Sequence, residues 1–110
     1  MKLLTLITAV SLAVAPVAAS AQHSDAAAEA AFMAANKAMM DDMMTMPATG
    51  DPDKDFALMM IPHHEGAIAM AKIVLEYGDD PEIRTLAEAV VAAQEKEVAW
   101  MKEWLAKQPE

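Results

Sequence analysis

Cysteine is missing from all 110 residues. Its absence excludes disulfide staples and thiolate ligands, so packing alone must hold the fold, and any soft-metal site must use thioether and imidazole. Basic residues are scarce, 8 against 17 acidic ones, giving a formal charge of −9. Such a surface repels nucleic acid and anionic lipid and suits cations. No stretch alternates with the period of a strand, which leaves helix as the regular structure. There is no Glu-x-x-His pair, no serine or cysteine nucleophile constellation, and only a single inward carboxylate, Glu97, so the chain is not expected to be an enzyme. After residue 21 no apolar run is long enough to span a bilayer.

What is present begins with an export signal. Met1-Lys2 is a short positive stretch, residues 3–18 are apolar apart from Thr5, Thr8 and Ser11, and Ala19-Ser20-Ala21 is a small-x-small cleavage site. About 16 largely apolar residues interrupted by Pro16 fall short of the roughly 20 that a spanning helix needs, so this is a signal peptide rather than an anchor. Residues 1–21 are thus expected to be removed. Residues 22–110 would form one domain in the periplasm, or be secreted, with no membrane insertion after cleavage.

Three helices are expected in that domain. Residues 25–46 contain neither glycine nor proline and are dominated by alanine and methionine, strong helix formers, with Ser24 or Asp25 as N-cap. Pro47-Ala48-Thr49-Gly50 ends the segment. Asp51-Pro52-Asp53 opens a second helix that should run to Tyr77 and close on Gly78 in a left-handed conformation. Asp80-Pro81-Glu82 repeats the opening for a third, to about Lys107. Short turns make neighbours antiparallel, so the expected fold is all-α, an up-down-up three-helix bundle. Fewer than 90 residues make a marginal core, and dimerisation is one way to complete it. The second helix favours that, because Phe56, Met60, Ala67, Met70, Val74 and Tyr77 form one apolar stripe. Ile61, Ile68, Ala71 and Leu75 form another, about 100° away.

Ligand-type side chains interrupt these stripes. His63 lies in register with Met59 and Met70, an imidazole and two thioethers on one face. His64 points about 100° away, toward Ile61 and Ile68. Pro62 should kink the helix beside the pair. In the third helix Gln94 sits at the centre of the apolar face, and Glu97 lies inside its edge. Antiparallel heights bring Gln94 and Glu97 opposite His63, and Met101 opposite Met59. The first helix adds Met33, Met40 and Met44 on one face and Met39, Met43 and Met46 on the next. Of these, Met40, Met43 and Met44 are candidate ligands beside adaptable core packing. His23 reads as a tail residue.

The pattern Asp53-x-Asp55-Phe56, Met59-Met60-Ile61-Pro62-His63-His64-x-Gly66-Ala67-Ile68-x-Met70-Ala71 and Gln94-x-x-Glu97-Val98-x-x-Met101 resembles the domain-of-unknown-function 305 family. Its copper-binding periplasmic members are called CopM-like. The similarity runs from about Met33 to Leu105, with Glu65 in place of a more familiar glutamine and Val98 in place of isoleucine. It implies an exported, ferritin-like bundle and a role in copper binding and tolerance. The implied ligands are Met59 or Met60, His63, His64, Met70 and Met101, with Gln94 and Glu97 lining the site.

Thioether and imidazole favour Cu(I), with Ag(I) or Cu(II) as further candidates, over Mg(II), Ca(II) or Zn(II). The expected function is copper buffering, tolerance or delivery, with a homodimer and a copper-handling protein as candidate partners. The competing expectation is a periplasmic interaction or stress protein whose methionine-rich grooves bind peptide or protein.

Overall fold

A computed structural model describes the backbone of residues 18–109 and the side chains of residues 25–109. The expected leader lies outside the described residues except at its last four positions. Three helices fill the rest: α1 (Ala18–Thr45), α2 (Pro52–Tyr77) and α3 (Pro81–Ala106). No described helix is long and apolar enough to cross a membrane.

Local chemistry sets the boundaries. α1 runs unbroken from Ala18, so neither Ser24 nor Asp25 caps it, contrary to expectation; a run of alanines carries the helix through both. Pro47 disfavours helical geometry at Met46 and stops it. The turn that follows needs Gly50, which sits at φ 84°. Asp51 caps α2 by accepting from the Asp53 and Lys54 amides at 2.9 and 3.4 Å. Asp80 caps α3 by accepting from the Glu82 and Ile83 amides at 2.9 and 3.0 Å. Both helices carry proline in the first turn, where the missing N–H costs nothing.

Gly78 is not left-handed. It is extended, at φ −84° and ψ 143°, and its N–H donates to the Val74 carbonyl. Space is what requires glycine there, because a Cβ would stand 2.7 Å from the Val74 carbonyl oxygen. Arg84 Nη1 then reaches back to the Leu75 and Gly78 carbonyls at 2.9 and 2.8 Å, giving partners to groups that the end of α2 leaves free.

The topology is up-down-up, with α2 packed on both neighbours. The three helices nonetheless form a layer rather than a closed triangle, because the backbones of α1 and α3 nowhere come within packing distance. α3 lies on the Ile61–Ile68 side of α2, where Ala57, Ile68, Val98 and Met101 are buried together. Ala71 and Ala87 are buried as well. α1 lies on another side and approaches most closely at Gly66, the only residue type that admits the Met39 side chain there. Ion pairs Lys102–Glu65 at 2.7 Å and Lys72–Glu95 at 3.5 Å join α2 to α3 along the polar back of the layer. The stripe of Phe56, Met60, Ala67 and Met70 is left over, open on the opposite side. α2 passes through Pro62 as one continuous helix.

Candidate functional site

Which histidine faces α3 follows from which stripe α3 covers. Packing on the Ala57, Ile61, Ile68 and Ala71 side brings His64, three residues after Ile61 and four before Ile68, into the seam. His64 Nε2 meets Glu97 Oε2 at 2.7 Å, and the His64 side chain is only 16% exposed. The expectation that Gln94 and Glu97 would face His63, and Met101 would face Met59, is therefore corrected: Glu97 meets His64, and Met101 shares its pocket with Met60. The antiparallel heights were right, but the rotation of α2 about its axis was not. His63 is exposed on the open side, its ring centroid 6.1 Å from that of His64 and the ring planes 62° apart.

Around His64 a concavity of about 240 Å³ is lined by Met60, Met101, Glu97, Phe56 and Trp100. Two thioethers, one imidazole and one carboxylate thus share a pocket with apolar walls. A carboxylate only accepts hydrogen bonds, so Nε2 carries the proton in the bond to Glu97. The other ring nitrogen, Nδ1, is buried with no partner among the described residues. An imidazole held by a carboxylate on one nitrogen, with a lone pair on the other, is how metal-binding histidines are commonly oriented. Among the described residues no three His, Asp or Glu side chains cluster, so a metal here has to draw on thioether sulfur.

The residues of this seam fall inside a continuous family match. The model of a domain of unknown function, DUF305, matches residues 3–105. The chain belongs to the DUF305 family. Comparison with curated proteins finds no match.

In this DUF305 chain the remaining candidate ligands do not share the His64 pocket. Met59 leaves the expected ladder with His63 and Met70 and turns toward the end of α1, where it lines a depression of about 210 Å³ with Met43 and Met46. Met70 lines an apolar groove with Phe32, Val74 and Val90, nearly two turns from His64. Met40 and Met44 are exposed, at 46% and 81%, and join neither concavity. Gln94 is half-buried on the inner face of α3 with its Oε1 unpartnered among the described residues.

Met46, Phe56 and Trp100 were not among the candidate ligands or pocket residues. Met46 had a signal, its three-residue spacing from Met43. Phe56 had its place in the apolar stripe and in the family pattern, whereas Trp100 had none, because a wall residue of a pocket looks like any other apolar position.

Asp55, part of the family pattern, does not point at the histidines. It accepts from the Thr49 amide and hydroxyl, both at 2.7 Å, and those bonds hold its carboxyl below the ordinary value. Its role is to fasten the turn that leads into α2.

Proposed function

We propose that this protein is an exported binder of soft metal ions that takes Cu(I) as cargo, with Ag(I) as its nearest mimic, for buffering, tolerance or delivery. The observation that carries this reading is the His64 ring, which is tied to Glu97 through Nε2 and lines a pocket with Met60 and Met101, while its buried Nδ1 has no partner among the described residues. Thioether and neutral imidazole are soft and borderline donors, which favour Cu(I) over Mg(II), Ca(II) and hard Fe sites. Glu97 would hold the ring in one tautomer, and Phe56 and Trp100 would limit water at the sulfur atoms. Met43, Met46 and Met59, around the turn between α1 and α2, offer a second, thioether-rich place for the same ion, with Asp55 also in its lining. The role is binding and transfer rather than catalysis, and the setting is the periplasm, reached by cleavage of residues 1–21.

Titration of purified apoprotein with Cu(I) against a competing chelator tests it. His64→Ala and Met101→Leu should each weaken the tightest event by about tenfold or more, roughly 1.4 kcal/mol. His63→Ala should weaken it less. Wild-type affinity for Cu(I) no greater than for Zn(II), or no loss in Met101→Leu, overturns the reading. The open apolar face favours a second reading, a binder of peptide or protein. That reading gains if the face is bound by a partner and Cu(I) is not held.

A further inference from the structure

The layer has two unlike sides. Its back carries the Lys102–Glu65 and Lys72–Glu95 ion pairs. Its front is a trough with α2 as floor, lined at one end by Phe32, Ala67, Val74, Leu86 and Val90 and at the other by Phe56, Met60 and Trp100. His63 belongs to the same side by helical spacing, three residues after Met60 and four before Ala67. Phe32, Phe56, Ile83, Leu86 and Trp100 are 37–64% exposed there. With large side chains at about 200 Å² each and the half-buried floor between them, the trough presents roughly 700 Å² of mostly apolar surface. That exceeds the 300–600 Å² typical of the largest patch on a monomer and approaches the ~800 Å² that each partner contributes to a stable interface.

The layer also lacks an interior of its own. Among the described residues, half of the six buried hydrophobic ones are alanine, and no side chain is less than 2% exposed. A layer with one charged and one apolar side is completed by covering the apolar side.

We propose that a second copy of the chain covers it, front to front, giving a two-layered six-helix bundle that encloses His63 and Met70 of both chains. The relief of the trough fits this occupant. Exposed rims at Phe32 and Leu86 flank a lower floor of Ala67, Met70 and Val74, so the rim of one copy can enter the trough of the other under a two-fold axis. Charge fits as well. Each chain carries −9, yet the trough between Phe32 and Val90 has no charged lining residue, and at the other end the one lining carboxylate, Glu97, is bonded to His64.

Sedimentation equilibrium of the metal-free protein tests this independently of copper. The protein should sediment at twice the chain mass at about 10 μM, since interfaces of this size hold with dissociation constants from the micromolar range downward. Trp100 emission should shift to the red on dilution. Leu86→Glu, in the trough, should raise the dimer dissociation constant by about tenfold or more, whereas Lys72→Ala, on the back, should leave it unchanged. Circular dichroism confirms that both variants stay helical; if Leu86→Glu unfolds, Leu86→Ala replaces it with the same expected direction. A helical wild-type monomer at roughly 100 μM overturns the proposal, whether residues 1–24 or a foreign peptide then covers the trough. A dimer weakened by Lys72→Ala but not by the Leu86 variants also overturns it.

Discussion

Gly66 decides whether α1 belongs to the layer, and replacing it with alanine sets two effects against each other. In an exposed helix the change would stabilise by about 1 kcal/mol, because alanine is the better helix former. Here the added Cβ would stand 2.5 Å from Met39 Sδ, 2.6 Å from its Cγ and 2.8 Å from its Cβ. Carbon contacts settle near 3.5–4.0 Å, so α1 must retreat by about 1 Å; the thioether can swing aside, but the Met39 Cβ moves only with its backbone. Overpacking of this kind costs about 1–3 kcal/mol. The clash therefore wins, with a net loss of roughly 1 kcal/mol, or about 4–8 °C in Tm for a domain of this size. Urea denaturation followed by far-ultraviolet circular dichroism reads it. Met39→Ala in the same chain removes the sulfur and Cγ contacts, so the double variant should be more stable than the sum of the single losses by about 0.5 kcal/mol or more. A gain of about 1 kcal/mol in Gly66→Ala alone would mean bare helix propensity at that position, and that α1 does not pack there.

Gly78→Ala should destabilise by about 1 kcal/mol in the same assay, since its Cβ would press on the Val74 carbonyl oxygen; unchanged stability refutes the tight turn. The folded-state pKa of Asp55 is depressed by its bonds to Thr49, so its contribution to stability is fully present above the ordinary value of 3.8 and is lost as pH falls through the lower folded value. Asp55→Asn should accordingly be less stable than wild type near neutrality and converge with it in acid; a constant difference across that range would remove the ionised bond as cause. Intact-mass measurement of protein from the native envelope should give a chain starting at Gln22, and uncleaved cytoplasmic protein would contradict export. Zn(II) should bind at least about tenfold more weakly than Cu(I), and a reversed order would leave the methionines as packing alone.

The fold was legible where a residue acts on its own neighbours. Asp51-Pro52 and Asp80-Pro81 announce two helix starts that the structure keeps, and Pro47 and Gly50 mark the turn between α1 and α2. Where two local causes compete, sequence misled. Gly78 ends α2 as expected, but for want of room beside Val74 rather than for a positive φ, and both causes write the same letter. The beginning of α1 failed for a related reason: Ser24 and Asp25 are good caps, yet alanines on both sides let the helix pass through them.

The site depended on one angle that the second helix does not encode. α2 is apolar on two stripes, so its sequence offers α3 either the Phe56–Met70 side, which carries His63, or the Ile61–Ile68 side, which borders His64. The larger stripe is the natural choice on area alone. Small residues on both helices settle it otherwise: Ala57 and Ala71 on α2, with Ala87 on α3, are all buried and let the two backbones approach closely. Phe56 at the same seam would hold them apart. Close approach then brings Glu97 within 2.7 Å of His64, while the larger stripe stays uncovered as the floor of the trough. The two histidines thus stand in different surroundings because of alanines about two turns away on either side. His64 is bound into the seam that holds α2 to α3, and His63 stands on the side where a second chain would lie.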